Sequence, residues 1–248
     1  MITKSEAKYI QSLGHKKFRE EKGQFVAEGP KIVAELISSP VVTTDTIYGT
    51  TQWWEQQPAL RSRLKAGTIR EIKEEELERI SFLTTPNQVL GVFNRPAPPA
   101  VTSFHDRVSL VLDDLQDPGN LGTIIRIADW FGIASIIASR ESADAYNPKV
   151  IQASMGSIAR VQVLYEELPA FLQRHADISV YAATLDGQPL TSIHKLKEGF
   201  ILIGNESKGI NEDLLKAAQY KITIPRRGDA ESLNAAVATG IILSHLTA

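Results

Sequence analysis

"IPRRGDAESLNAAVATG", residues 224 to 240 of a 248-residue chain, decides how the rest is read. An apolar run ends at Pro225, two arginines and a turn follow, and a stretch rich in Ala, Thr and Gly comes next. The pattern predicts a strand over 220–227, a turn, and a last helix over 231–247, with Ser232 at its N-cap and Asn234 close behind. A helix that only covers a sheet usually turns Leu and Ile inward. This one is built from small residues, so something must come close to it.

Two more turns of this kind lie upstream, "DDLQDPGNLGTIIR" (113–126) and "GNESKGI" (204–210), each behind an apolar run. The runs "RVSLVLDDL", "ASIIAS", "SVYAATLDG" and "GFILIGNE" read as strands. Their continuous apolar character fits a parallel sheet buried on both faces. Helices are expected over 120–132, 147–161 and 210–219. In open α/β sheets ligands sit at the carboxyl ends of strands, so three special turns at those ends point to one composite site.

The first ligands to test for such a site are nucleotide phosphates and metals. "GNESKG" has Walker-like glycine spacing but is followed by Ile210, and "PGNLG" lacks the G-x-G-x-x-G pattern. Asp113 and Asp114 could face a Mg²⁺, but alternation turns one inward and leaves the other as a turn cap. The five histidines, 15, 105, 175, 194 and 245, have no ligand spacing, and there is no cysteine. No metal is therefore expected. Net charge is −2 and charged residues are 23% of the chain, so any RNA binding must come from local patches. The N-terminus lacks a signal-like apolar region and no run approaches membrane-spanning length, which predicts a cytoplasmic protein without membrane contact.

The three prolines within "NRPAPPAVTSF" (94–104) mark a linker, placed at 96–102. It divides the chain into domains 1–95 and 103–248. The first reads as a small α/β domain: a helix around Ile10 to Phe18, strands "QFVAEG", "TIYGT", "TIREI" and "QVLGVFN", and helices at 30–37 and 74–83. Lys16, Lys17 and Arg19 belong to a basic cluster that is either a solvated helix face or an RNA contact.

As an ordered set, the three turns resemble the SpoU/TrmH-type branch of the SPOUT RNA methyltransferases. "DPGNLGTIIRIADWFG" carries Asn120, Gly122 and Arg126 in signature places, "ILIGNESKGI" carries Gly204, Glu206 and Gly209, and "ITIPRRGDAESLNAAVATGI" carries Ile224, Pro225, Ser232, Leu233 and Asn234. "LGHKKFREEKGQFVAEGPKIVAE" is similar to the L30e-like RNA-binding domain that often precedes them, so the resemblance spans nearly the whole chain. One departure is visible: Ala235 and Ala236 stand where the family often has Val-Ser.

The resemblance implies an α/β SPOUT domain with a parallel sheet and a deep trefoil knot, threaded by the small-residue C-terminal helix. It implies S-adenosyl-L-methionine held by backbone groups of Gly204, Ile224 and Leu233, with Ile203 and Gly209 in the same motif. Thr184 either lines that pocket or is an ordinary strand residue. It implies methyl transfer to a ribose 2′-hydroxyl of rRNA or tRNA, with Arg126 central and Asn120, Glu206, Asn234 and Ser232 around it. A guanidinium is effectively always protonated, so Arg126 suits a phosphate clamp better than a base. A homodimer, with Arg126 reaching the partner's cofactor, is implied as well. The rival class is a non-catalytic RNA-binding or assembly protein that keeps this fold.

Overall fold

Apolar runs and helical repeats set the element order of the computed structural model, which describes residues 1–97 and 103–247. The chain begins α1 (Lys4–Ser12), α2 (Lys16–Lys22), β1 (Gln24–Glu28), α3 (Pro30–Ser38), β2 (Thr43–Thr50) and α4 (Thr51–Gln56). It continues α5 (Pro58–Arg61), β3 (Ile69–Ile72), α6 (Glu74–Glu78), β4 (Val89–Asn94), β5 (Val108–Leu112), α7 (Pro118–Trp130) and β6 (Ser135–Ser139). Then come α8 (Pro148–Ser154), β7 (Gln162–Glu166), α9 (Leu168–Arg174), β8 (Val180–Pro189) and β9 (Gly199–Ile203). The last elements are α10 (Glu212–Ala217), β10 (Tyr220–Thr223) and α11 (Ala235–Leu246).

These elements group into two units. Met1–Ala97 and Asp144–Ala159 form the first, and the described residues of 98–143 and 160–248 form the second. Of the proposed linker 96–102, residues 98–102 lie outside the described residues.

In the first unit the sheet order is β1-β4-β2-β3, antiparallel except for β2 beside β3. Ile10, Leu13, Val26, Leu77, Ile80 and Leu90 fill its core. The single helix expected around Ile10 to Phe18 is two helices. Leu13 ends α1, and His15 is the N-cap of α2. The segment 144–159, which the linear reading gave to the second domain, groups with this unit. There α8 packs on β1 and Tyr146 lies against Phe25, ring centroids 5.0 Å apart. Asp144 accepts from Arg19 Nε at 2.9 Å, and Arg19 is only 1% exposed. The helix expected over 147–161 stops at Met155, whose left-handed backbone forms its C-cap.

In the second unit six strands run parallel in the order β10-β8-β9-β5-β6-β7. β5, β6 and β9 are buried at every position, as expected for strands covered on both faces. Phe171, Leu172, Phe200, Leu202, Val111 and Ile137 belong to its core. β7 and α9 were not foreseen; "QVLYE" is only half-buried along its length, which weakens its periodicity. Between Lys221 and Ile222 the pairing of β10 jumps from Ala182 to Gln188, so 183–187 leave that ladder. α11 starts at Ala235, four residues later than expected, because 231–234 remain irregular.

Candidate active site

Strand order reverses between β5 and β9: the chain proceeds from β5 to β6 and β7 on one side, while β9, β8 and β10 lie on the other. Such a reversal opens a crevice at the carboxyl ends. The loop after β5 is pinned beside it. Ser139 Oγ accepts from Asp114 N at 3.0 Å, and Ser142 Oγ from Leu115 N at 3.1 Å. Asp117 then caps α7, accepting from Asn120 N at 2.7 Å, with Pro118 at the first helical position.

Three of the predicted residues meet through one directional chain. Asn234 is the N-cap of α11, and its Oδ1 accepts from Ala236 N and Val237 N at 3.0 and 3.2 Å. That fixes the amide, so Nδ2 points away and donates to Asn120 Oδ1 at 2.8 Å. Asn120 Nδ2 in turn donates to Glu206 Oε1 at 2.8 Å. Each amide uses one end to accept and the other to donate, and the chain ends on a carboxylate that only accepts when ionised. The loops after β5, β9 and β10 are thereby tied together. Ser232, expected as the cap, is exposed in the irregular stretch before it; the side chain of Asn234 does that work.

Glu206 sits on a turn closed by paired backbone bonds of 3.0 Å between Asn205 and Gly209. Gly209 has φ +71°, a left-handed conformation that favours glycine. Gly204 is small for a reason beyond the one expected. A Cβ there would lie 2.5 Å from the Gly209 carbonyl carbon and 2.6 Å from Ile210 N, so its missing side chain makes room for the returning chain. Asn205, which the sequence reading passed over, fastens the turn: its Nδ2 donates to Asp114 O at 2.7 Å. Its Oδ1 accepts from Ser207 N and Lys208 N. Asp113 accepts from Asn211 N at 2.7 Å. Burial raises the Asp113 carboxyl pKa, the Asn211 bond opposes that, and neighbouring Asp114 adds to it. Both aspartates are thus occupied with loop anchoring, and among the described residues no three His, Cys, Asp or Glu gather as a metal site.

Ile203 is a buried core residue at the end of β9, while Ile224 is half-buried just past β10. From Pro225 to Asn234 the chain is irregular and exposed, Leu233 included. Thr184 lies where β8 leaves its ladder, and the next residue's carbonyl accepts from Thr223 Oγ1 at 3.3 Å. Thr184 Oγ1 is buried without a hydrogen bond of normal geometry. It is still near enough to Asp186 to help hold that carboxyl below its usual range. A buried hydroxyl with capacity to spare beside a long irregular backbone fits a ligand held mainly by main-chain groups, as S-adenosylmethionine would be.

Arg126 stands exposed on α7 and forms no ion pair among the described residues. It does not touch the amide chain. α7 and α11 border a groove of about 630 Å³ lined by Ile127, Val237, Gly240, Ile241, Ile224 and Pro225. Here the expected reason for small residues is corrected in part. A Cβ on Gly240 would meet only Ile127 Cδ1, at an ordinary 3.6 Å. The small residues on this side leave a groove open.

In the first unit Lys16 and Lys17 are exposed, Lys16 with Glu20 at 3.9 Å. Arg19 does not belong with them. Buried against Asp144 and bonded to Leu13 O, it is out of reach of a phosphate. Among the described residues no helix is long and apolar enough to cross a membrane.

Residues 107–244 match the sequence model of the SpoU rRNA Methylase family, and residues 4–91 that of the MRM3-like substrate binding domain. The chain is 30% identical over 235 residues to the 23S rRNA (guanosine(2553)-2′-O)-methyltransferase RlmP of Bacillus subtilis, covering 93% of this chain and 91% of that one. Among solved structures it is similar to one from Porphyromonas gingivalis described as a TrmH-family RNA methyltransferase. That match has a TM-score of 0.87 and 36% identity over 99% of this chain and 98% of the other. The AdoMet-bound rRNA methyltransferase of Sinorhizobium meliloti matches with a TM-score of 0.85 and 30% identity, over 99% and 95%.

Proposed function

The chain belongs to the SpoU rRNA methylase family, and from that membership we propose that it methylates the ribose 2′-hydroxyl of one nucleotide in ribosomal RNA, using S-adenosyl-L-methionine. The names of its relatives support this: RlmP is a 2′-O-methyltransferase of 23S rRNA, and the Sinorhizobium neighbour is an rRNA methyltransferase bound to AdoMet. The observation that carries the reading is the Asn234–Asn120–Glu206 chain. It draws loops 86 and 114 residues apart into one arrangement at the strand ends.

When bound, S-adenosylmethionine supplies a methyl group on a sulfonium, already a strong electrophile. The protein then has to align the attacking oxygen and manage its charge. Thr184 and the main chain at Ile224 and Leu233 would hold the cofactor, with the Gly204–Gly209 turn bracing the loop after β9. Arg126, free of protein partners among the described residues, clamps the phosphate next to the reacting ribose. Glu206, fixed by Asn120, accepts a hydrogen bond from the substrate through its remaining oxygen. The C-terminal segment passes through the knot of the family, in keeping with backbone crossings as close as that at Gly204. A second copy covers the apolar groove between α7 and α11 and so brings Arg126 to the partner's cofactor.

Lys16 and Lys17 bind RNA phosphates; their joint replacement by Ala is expected to raise KM and lower the salt slope of RNA binding by up to about 2. The decisive experiment is a map of 2′-O-methyl sites in rRNA and tRNA from cells with and without this gene, repeated with purified protein. One rRNA site lost in the cell and restored in the tube is expected. A full set of sites in the deletion strain would sink the proposal.

A further inference from the structure

The first unit holds a cavity of its own, about 570 Å³ and open to solvent, lined by no residue of the methyltransferase motifs. Small-ligand pockets run from about 300 to 1,000 Å³, so this one can take a nucleotide. Its lining is two-sided. Phe82, half-buried, offers an aromatic face beside buried Val26. Opposing them in character are the Glu28 carboxylate, the Gln152 amide and, at the exposed rim, Lys149. The Gln152 amide and the Lys149 ammonium have no side-chain partner among the described residues.

Glu28 is the unusual member, a carboxylate residue only 4% exposed. Its Oε1 accepts from Phe82 N at 2.7 Å and its Oε2 from Ser81 Oγ, which seats the fork rigidly. One acceptor site remains on each oxygen. Two adjacent acceptors match two adjacent donors, and among the RNA bases only guanine presents N1–H and N2–H side by side. Uracil would turn carbonyls toward the carboxylate, and adenine or cytosine a single amino group beside a ring acceptor. Proteins read RNA sequence mostly on unstacked bases, by aromatic stacking plus hydrogen bonds to the base edge.

We propose that this cavity captures an unstacked guanine of the substrate RNA, stacked on Phe82, paired to Glu28 and Gln152, with its phosphate at Lys149. The inference rests on the RNA-methyltransferase reading, and it makes the first unit a sequence reader as well as an electrostatic handle.

The test uses the full chain and the four nucleoside 5′-monophosphates, with binding followed by saturation-transfer NMR and calorimetry. GMP is expected to bind best and UMP worst. Glu28→Gln should weaken GMP by about 5- to 100-fold, the range for one bidentate base contact, and remove the preference. Lys149→Ala should weaken all four nucleotides alike. S-adenosylmethionine binding should stay unchanged throughout. If Glu28→Gln disturbs the fold, Phe82→Leu decides, since it keeps an apolar side chain and loses the stacking face; it should lower affinity for every base. Equal binding of GMP and UMP by the wild type, or undiminished binding in Phe82→Leu, overturns the proposal. Failure of the wild type to methylate any RNA would strike the functional reading, while the GMP result would still stand or fall separately.

Discussion

The two units treat polar side chains in opposite ways. In the second, Glu206 and Asn234 stand at the surface beyond the strand ends, and Arg126 stands on the exposed face of α7. In the first, Arg19 and Glu28 are taken out of water and must find their partners inside the protein. A surface group can be spared for chemistry at little cost in stability. A buried one is committed to the fold, and removing its partner leaves an uncompensated charge. The same residue types are therefore left open to solvent in one unit and tied into the fold in the other, where only the spare acceptor sites of Glu28 remain for a ligand.

The largest effect should come from breaking the buried pair. Asp144→Ala is expected to destabilise the protein by about 3–5 kcal/mol, because Arg19 stays buried without its counter-charge. Urea unfolding measures this, and a loss below 1 kcal/mol would mean that Arg19 escapes to solvent. Next in size is Arg126→Ala, on the exposed side of the comparison. It should cost about 10²–10³ in methyl-transfer rate with stability and cofactor affinity intact. Mixing this variant with Gly204→Trp in one dimer should restore activity in one of its two sites. A dimer that forms and stays inactive would place Arg126 at its own chain's site.

Asn234 belongs to both sides, since it caps a helix and ends the amide chain. Asn234→Ala should lose about 0.5–2 kcal/mol of stability together with activity. Asn234→Ser keeps a capping oxygen and lacks the donor to Asn120, so activity should fall with stability nearly preserved. If both variants lose the two properties in step, the amide chain has no role beyond the cap.

The smallest effect is a pH dependence. Burial raises the Glu28 pKa, with the bonds from Ser81 and Phe82 acting against it. A raised carboxyl pKa means the folded state favours the proton. The stabilising contribution is complete below the unfolded value near about 4.3 and is lost as pH rises through the folded value. Relative to wild type, Glu28→Gln should therefore gain stability on going from acid to neutral pH. A constant difference across that range would show that Glu28 titrates normally.

Much of the second unit was legible in the sequence, because its strands are continuous apolar runs and its candidate site lies in short turns directly behind them. Asn120, Glu206 and Asn234 could be named there, and their linkage follows from the parallel sheet. What local pattern could not supply was the division of labour within a turn. Both Ser232 and Asn234 are good caps by composition, and only the backbone path decides between them. Gly204 could be flagged as a close approach, yet what approaches it is Gly209 and Ile210. Lys16, Lys17 and Arg19 look alike on a helical wheel. Arg19 turns inward because Asp144 waits there, 125 positions away in sequence. No periodicity encodes such a partner. For the same reason the linear boundary at the prolines missed the excursion of 144–159 into the first unit.

That excursion governs the order in which the molecule can be made. When the ribosome has released residue 97, the first unit still lacks Ala145, Val150 and Ile151, each at most 1% exposed in the finished protein. They arrive about 50 residues later, several seconds at about 5–20 residues per second. In that interval β5 and β6 emerge as well, while β9, the other neighbour of β5, is still to be synthesised. A first sheet that has all its strands but lacks α8, and a second sheet that is still incomplete, are thus on the ribosome together. The nascent chain is most in need of a chaperone between about residue 100 and residue 160, a window in which truncation or pausing should leave an aggregating product.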